Sequence, residues 1–192
     1  MEFQYFDGET FDIIKFTDYP LLKGEYEFCA FLNCDFSNAD LSGIRFSESK
    51  FIDCNLSNAD LNNVSFQEVK FLNCKMLGLH FNKCNEFGFA VLFENCQLNH
   101  SSFFQVKLSR SKFMDSQLQG VDFVQSELKN SMIVNCDLLD AIFDNTNMEK
   151  ADFRDSRNYN IDPEINNVKH AKFSMPDVIG LLNKYNLKID NL

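Results

Sequence analysis

The sequence predicts an all-β solenoid with four sides. Three observations predict it: a large apolar residue at every fifth position, a small residue two places before most of these, and a second recurrence every twenty residues. From Phe11, steps of five land on Phe16, Leu21, Tyr26, Phe31, Phe36, Leu41, Phe46, Phe51, Leu56, Leu61, Phe66, Phe71, Met76 and Phe81. A helix repeats its apolar face about every 3.6 residues and a half-buried strand every two, so a period of five fits neither. After a shift of two residues the run resumes at Phe93. It continues through Leu98, Phe103, Leu108, Phe113, Leu118, Phe123, Leu128, Ile133, Leu138, Phe143, Met148 and Phe153.

The small residues include Ala39, Ala59, Ser101, Ser111, Ser116, Ser126, Ser131, Ala141 and Ala151. Each unit therefore reads small, polar, large, polar, polar, with two positions inward and three outward. Short extended pieces joined by tight turns produce this pattern, and the Asn, Asp, Ser and Gly between the central residues suit turns.

The longer period is carried by Phe31-Leu-Asn-Cys-Asp-Phe36, Phe51-Ile-Asp-Cys-Asn-Leu56, Phe71-Leu-Asn-Cys-Lys-Met76, Phe93-Glu-Asn-Cys-Gln-Leu98, Phe113-Met-Asp-Ser-Gln-Leu118 and Ile133-Val-Asn-Cys-Asp-Leu138. Twenty residues are four units, so one coil has four sides. A single step of 22, from Phe71 to Phe93, places a two-residue interruption between 82 and 92 and keeps the coils in phase. Residues 11–157 give about seven coils, a rod roughly 35 Å long at the usual strand spacing. Each coil buries its apolar face only against its neighbours.

The units Ala39-Asp40-Leu41-Ser42-Gly43 and Ala59-Asp60-Leu61-Asn62-Asn63 resemble the A(D/N)LXX consensus of the pentapeptide-repeat family. The resemblance covers about three quarters of the chain. It implies a right-handed quadrilateral β-helix, in agreement with the four-unit coil.

Residues 1–10 precede the repeat and are expected to cap the first coil, since a solenoid end needs cover. Residues 158–192 are expected to form a last irregular coil and a short C-terminal α-helix. Ser174-Met-Pro-Asp177 resembles a capped helix start, with Ser174 as the cap. Val178, Ile179, Leu181, Leu182 and Tyr185 give an apolar face at helical spacing, and Asn186 a stop. The helix covers the last coil. Similarity to the quinolone-resistance branch of the family, whose C-terminal helices pair protomers, implies that it also makes a homodimer. At the interruption, Glu86-Phe-Gly-Phe-Ala-Val-Leu-Phe93, Gly88 permits a bulge and Phe87 or Phe89 replaces the missing central residue. A hinge or partner contact is the other reading.

The net charge of −10 argues against direct binding of nucleic acid, which needs clustered Lys and Arg, and favours a basic partner surface. No run approaches the roughly 20 apolar residues of a membrane helix. The start, Met1-Glu2-Phe3-Gln4, lacks the basic and apolar regions of an export signal. With seven Cys, an odd number, a cytoplasmic chain with reduced thiols is expected.

Cys34, Cys54, Cys74, Cys96 and Cys136 fall in one column, with Ser116 between the last two and Ser156 after them. Their spacing matches no zinc motif, and parallel Cβ vectors suit a disulfide poorly. The column is read as core packing by small side chains. His80, His100 and His170 are isolated. No nucleophile–base arrangement and no Gly-rich phosphate loop is present, so no catalytic residue, cofactor or metal is expected.

The walls differ. Leu32, Ile52, Leu72, Met114 and Val134 form an outward apolar stripe interrupted by Glu94, beside Lys50, Lys70 and Lys112. Asp40, Asp60 and Asp122 share another column. Two functions follow as expectations. One is an acidic DNA mimic that binds DNA gyrase or topoisomerase IV, as the resemblance implies. The other is a protein-binding scaffold that uses the apolar stripe, or else the stripe is covered by terminal segments or merely tolerated.

Overall fold

The computed structural model describes residues 4–189 and is a stack of parallel coils. The first wall is a four-stranded sheet of Gln4–Asp7, Gly24–Glu27, Arg45–Ser47 and Ser65–Gln67. The second is a seven-stranded sheet of Thr10–Asp12, Ala30–Leu32, Lys50–Ile52, Val69–Leu72, Val91–Glu94, Lys112–Met114 and Met132–Val134. The third and fourth walls are columns of single bridges, such as Lys15–Asp35–Asn55–Lys75 and Ser102–Asp122–Ile142.

The register is twenty throughout except at one step, where Phe71 pairs with Phe93 and Lys75 with Gln97. The two extra residues are absorbed on the first wall. Phe89 turns inward, with its ring centroid 6.4 Å from both Phe66 and Phe81. Phe87 points outward and is 81% exposed. Gly88, at φ +66°, makes the bend, and the next coil resumes where Ala90 donates its N–H to the Phe66 carbonyl at 3.0 Å.

Corners explain the outward turn residues. The residue two places after most central apolar positions takes a left-handed conformation, with φ between 47° and 68° at positions such as Glu48, Asn73, Asn95 and Arg110. Asn, Asp and Gly tolerate this best, hence their frequency there. Ile13 and Phe28 hold the same corner at a steric disadvantage.

The core is a set of ring stacks. On the second wall, Phe11–Phe31, Phe31–Phe51, Phe51–Phe71, Phe71–Phe93 and Phe93–Phe113 stack at 4.9, 4.7, 5.0, 5.2 and 5.0 Å. Rings meet edge to face across a corner, as Phe46–Phe51 at 74°, and across the interior between opposite walls, as Phe103–Phe113 at 89°. Toward the N-terminus the second stack is on the first wall, through Tyr26, Phe46 and Phe66. Toward the C-terminus it moves to the fourth wall, through Phe81, Phe103, Phe123 and Phe143.

The segment 1–10, read as a cap, enters the ladder from Gln4; its residues 1–3 lie outside the described residues. The α-helix expected after Ser174 is not formed. Two 3-10 turns, Asp177–Leu181 and Asn183–Tyr185, stand in its place. Ser174 does not cap them; its hydroxyl donates to Asp155 Oδ1 and accepts the Asp155 N–H, both at 3.2 Å. Gly180 lies against Tyr159 so closely that a Cβ would sit 2.2 Å from its carbonyl oxygen. A segment this short, with glycine in the middle, has little intrinsic reason to complete α-helical turns. Lys184 ties it down, 2.8 Å from Asp162 and 2.5 Å from Glu164. Residues 190–192 of this segment lie outside the described residues.

Because Phe113 is fully buried, stacked on Phe93 and edge-on to Phe103 and Phe123, Phe113→Ala should lower unfolding free energy by about 3–5 kcal/mol in urea denaturation.

Candidate functional site

The small-residue column is a hydrogen-bonding device as well as packing. Cys34, Cys54, Cys74, Cys96 and Cys136 each direct Sγ to the carbonyl of a column residue one coil earlier: Phe11, Phe31, Phe51, Phe71 and Phe113, at 3.3–3.5 Å. Ser156 Oγ does the same to Ile133 at 2.7 Å and accepts the Cys136 N–H at 2.9 Å. Thr146 donates to the Phe123 carbonyl at 2.7 Å. A purely apolar reading of these cysteines therefore falls short: the position takes Cys, Ser or Thr because a small donor satisfies buried backbone. Burial pushes the Cys136 thiol up to about 12, which keeps it protonated and a donor. All seven cysteines are free. Among the described residues no cluster of His, Cys, Asp or Glu is placed to hold a metal ion.

Chemistry is thus left to the outer walls. Leu32, Ile52, Leu72, Met114 and Val134 do share the second wall, and all five are half-buried. Each is shielded by its neighbours in the ladder, so the stripe is less available than its composition suggests. Lys50 and Lys70 are directly paired beside it, and Lys112 follows beyond Leu92.

On the fourth wall Asp40 pairs with Asp60, and Ser102 with Asp122. Each Asp has a local role that the sequence did not reveal. Oδ1 of Asp40, Asp60 and Asp122 accepts the N–H two residues on, from Ser42, Asn62 and Val124, at 2.8, 3.0 and 2.9 Å. Asn55 and Asn147 make the same bond elsewhere, to Ser57 and Glu149, so the consensus Asp or Asn is a turn acceptor. The charge is additional to that role. Among the described residues, the positions flanking the central residues of this wall from Leu41 to Phe143 include Asp40, Asp60, Asp122 and Asp144 and no Lys or Arg. Lys23 reaches Asp40 from the adjoining corner, at 3.1 Å. The bond from Ser42 and the Lys23 ammonium hold the Asp40 carboxyl below its ordinary range.

Of the predicted C-terminal face, Leu181 packs toward the core and Val178 is half-buried, whereas Ile179, Leu182 and Tyr185 are exposed. Among the described residues no helix is long and apolar enough to cross a membrane.

These features define the class: a four-sided parallel β-solenoid of five-residue units with its variable chemistry outside. The chain belongs to the pentapeptide-repeat family, matching a pentapeptide repeat region over residues 25–86 and an eight-copy pentapeptide repeat model over residues 122–157. A trypsin-treated form of QnrB1, described as a plasmid-mediated fluoroquinolone resistance protein, is similar in fold: TM-score 0.66, 18% identity, covering 98% of this chain and 100% of that one. Full-length QnrB1 gives TM-score 0.63 at 18% identity, covering 95% and 97%. Curated protein sequences gave no significant match.

Several carboxylates are held below their ordinary range: Asp152 by hydrogen bonds from Arg154, Glu149 by Lys129, and Asp162 and Glu164 by Lys184. A carboxyl whose folded pKa is depressed stabilises the fold above its unfolded pKa, and that contribution disappears as pH falls through the folded value. The urea midpoint should therefore stay level from pH 7 to about 5 and drop progressively below about 4, with part of the drop removed in Asp152→Asn.

Proposed function

We propose that this chain binds a type II topoisomerase as a surrogate for duplex DNA and protects it from quinolones, with the fourth wall facing the enzyme. The observation that carries the reading is that Asp40, Asp60 and Asp122 share that wall with no Lys or Arg immediately flanking its central residues, on a rod whose net charge is −10. Electrostatic complementarity to a groove built for phosphates favours encounter and register. The fold similarity to QnrB1 supports the choice of target. The charge test is clean because Asn keeps the turn bond that Asp makes. In a DNA gyrase supercoiling assay with a fluoroquinolone, the protein should restore supercoiling. The Asp40→Asn, Asp60→Asn, Asp122→Asn triple variant should fold normally and lose most of that protection. Full protection by the triple variant, or none by the native protein, contradicts the reading.

The exposed Ile179, Leu182 and Tyr185, continued by Leu187 and Ile189, support self-association through the C-terminal turns. Light scattering after size exclusion should give a dimer mass for the native chain and a monomer mass for Leu182→Asp with Tyr185→Asp.

A further inference from the structure

We propose that the corner between the first and second walls is a binding site for a small amphiphilic anion, a phosphate or carboxylate carried on a short apolar body. Four cations gather there: Lys50, Lys70, Arg110 and Lys112. Elsewhere, bases often sit one coil from an acid, as in Arg45–Glu25 at 3.9 Å, Lys129–Glu149 at 2.7 Å, Arg157–Asp137 at 3.7 Å and Lys172–Asp152 at 3.8 Å. At this corner the pattern breaks. Lys50 pairs directly with Lys70, and Lys70, Leu92 and Lys112 are successive rungs of the ladder. Among the described residues none of the four cations makes an ion pair within 4.0 Å. Like charges opposite one another in a sheet cost stability. A chain with 28 acidic residues and 18 basic ones has carboxylates to spare, yet none of those described stands within ion-pair distance of these four.

Lys70, Arg110 and Lys112 border a groove of about 420 Å³, within the range of small-molecule sites, and Lys50 is the rung next to Lys70. Its floor is apolar, from Ala90, Val91 and Leu92, with Lys70 on one side and Arg110 and Lys112 on the other. The groove is a product of the two-residue interruption, which puts the small Ala90 between the flanking coils where a longer corner side chain stands above (Glu68) and below (Arg110). Two rungs separate Lys70 from Lys112, about 10 Å at Cα by strand spacing, and lysine stems are long enough to converge on one anion. Glu48 and Glu68 also line the groove and disfavour negative charge beyond the head group. An anionic head with a neutral apolar body satisfies both conditions. Its lysines are on the wall opposite the aspartates, so the site is independent of topoisomerase binding.

The test is an amide NMR titration of the full chain with hexyl phosphate and hexanoate as amphiphiles, and inorganic phosphate and hexanol as their separate halves. Saturable shifts confined to residues 68–70, 90–92 and 110–112 are expected for at least one amphiphile. Affinity should be at least tenfold above that for either half. Lys70→Gln with Lys112→Gln should weaken binding tenfold or more, and Ala90→Phe should abolish it by filling the groove without changing charge. Lys75→Gln, on the next wall, should change nothing. The proposal is overturned by absence of saturable shifts, by inorganic phosphate binding as tightly as hexyl phosphate, or by an equal loss in Lys75→Gln.

Discussion

The backbone ladder between coils is the constraint on which the rest of the molecule depends. Its rungs repeat at about 4.8 Å, so a side chain on one coil is forced against the side chain twenty residues away. Equivalent positions must therefore tolerate their own kind. Phenylalanine does so by offset stacking, as from Phe11 through Phe113 on the second wall. Asparagine and aspartate do so at the corner, where Asn73 donates to Asp53 at 3.0 Å and Asn95 to Asn73 at 2.9 Å. Small donors do so by bonding the carbonyl of the coil before, as Cys136 to Phe113. Charges alone are penalised by the rule, and the molecule commonly answers by placing opposite signs on neighbouring rungs.

That penalty makes the exceptions informative. Asp40 over Asp60 and Lys50 over Lys70 are two of the places where like charges share a rung pair. The first is partly relieved, because each aspartate has a backbone N–H as a fixed partner and Asp40 also has Lys23. The second has no such relief. The two pairs lie on opposite walls, so the rod carries different chemistry on its two sides despite one repeating backbone.

Much of the fold was legible because the period of five is enforced by the ladder at every coil. The left-handed corner explains the turn residues, and the survival of phase across Phe71–Phe93 was visible in the Asn-Cys motif itself. The ends were less legible, because nothing repeats there. Val178 to Tyr185 has helical spacing, but the contact between Gly180 and Tyr159 is tertiary and leaves no periodic trace. Nor could sequence tell that the cysteine column donates hydrogen bonds, since packing and bonding demand the same small side chain. The turn bond from each aspartate of that column to the residue two ahead is a matter of geometry and leaves no mark in the sequence beyond the residue type.

The interruption follows from the same constraint. An extra residue carried through the repeat would put the wrong side chains inward on every later rung. Two extra residues do not fit a period of five either, so a local bulge at Gly88 absorbs them without moving the rungs that follow. The cost is confined to one side: Phe87 is expelled to solvent, Phe89 takes the interior, and Ala90 leaves the adjoining corner shallow. A perfectly periodic solenoid has flat walls and offers little to a small ligand. Here concavity arises where the period fails, and the lysines beside it have no acid on a neighbouring rung.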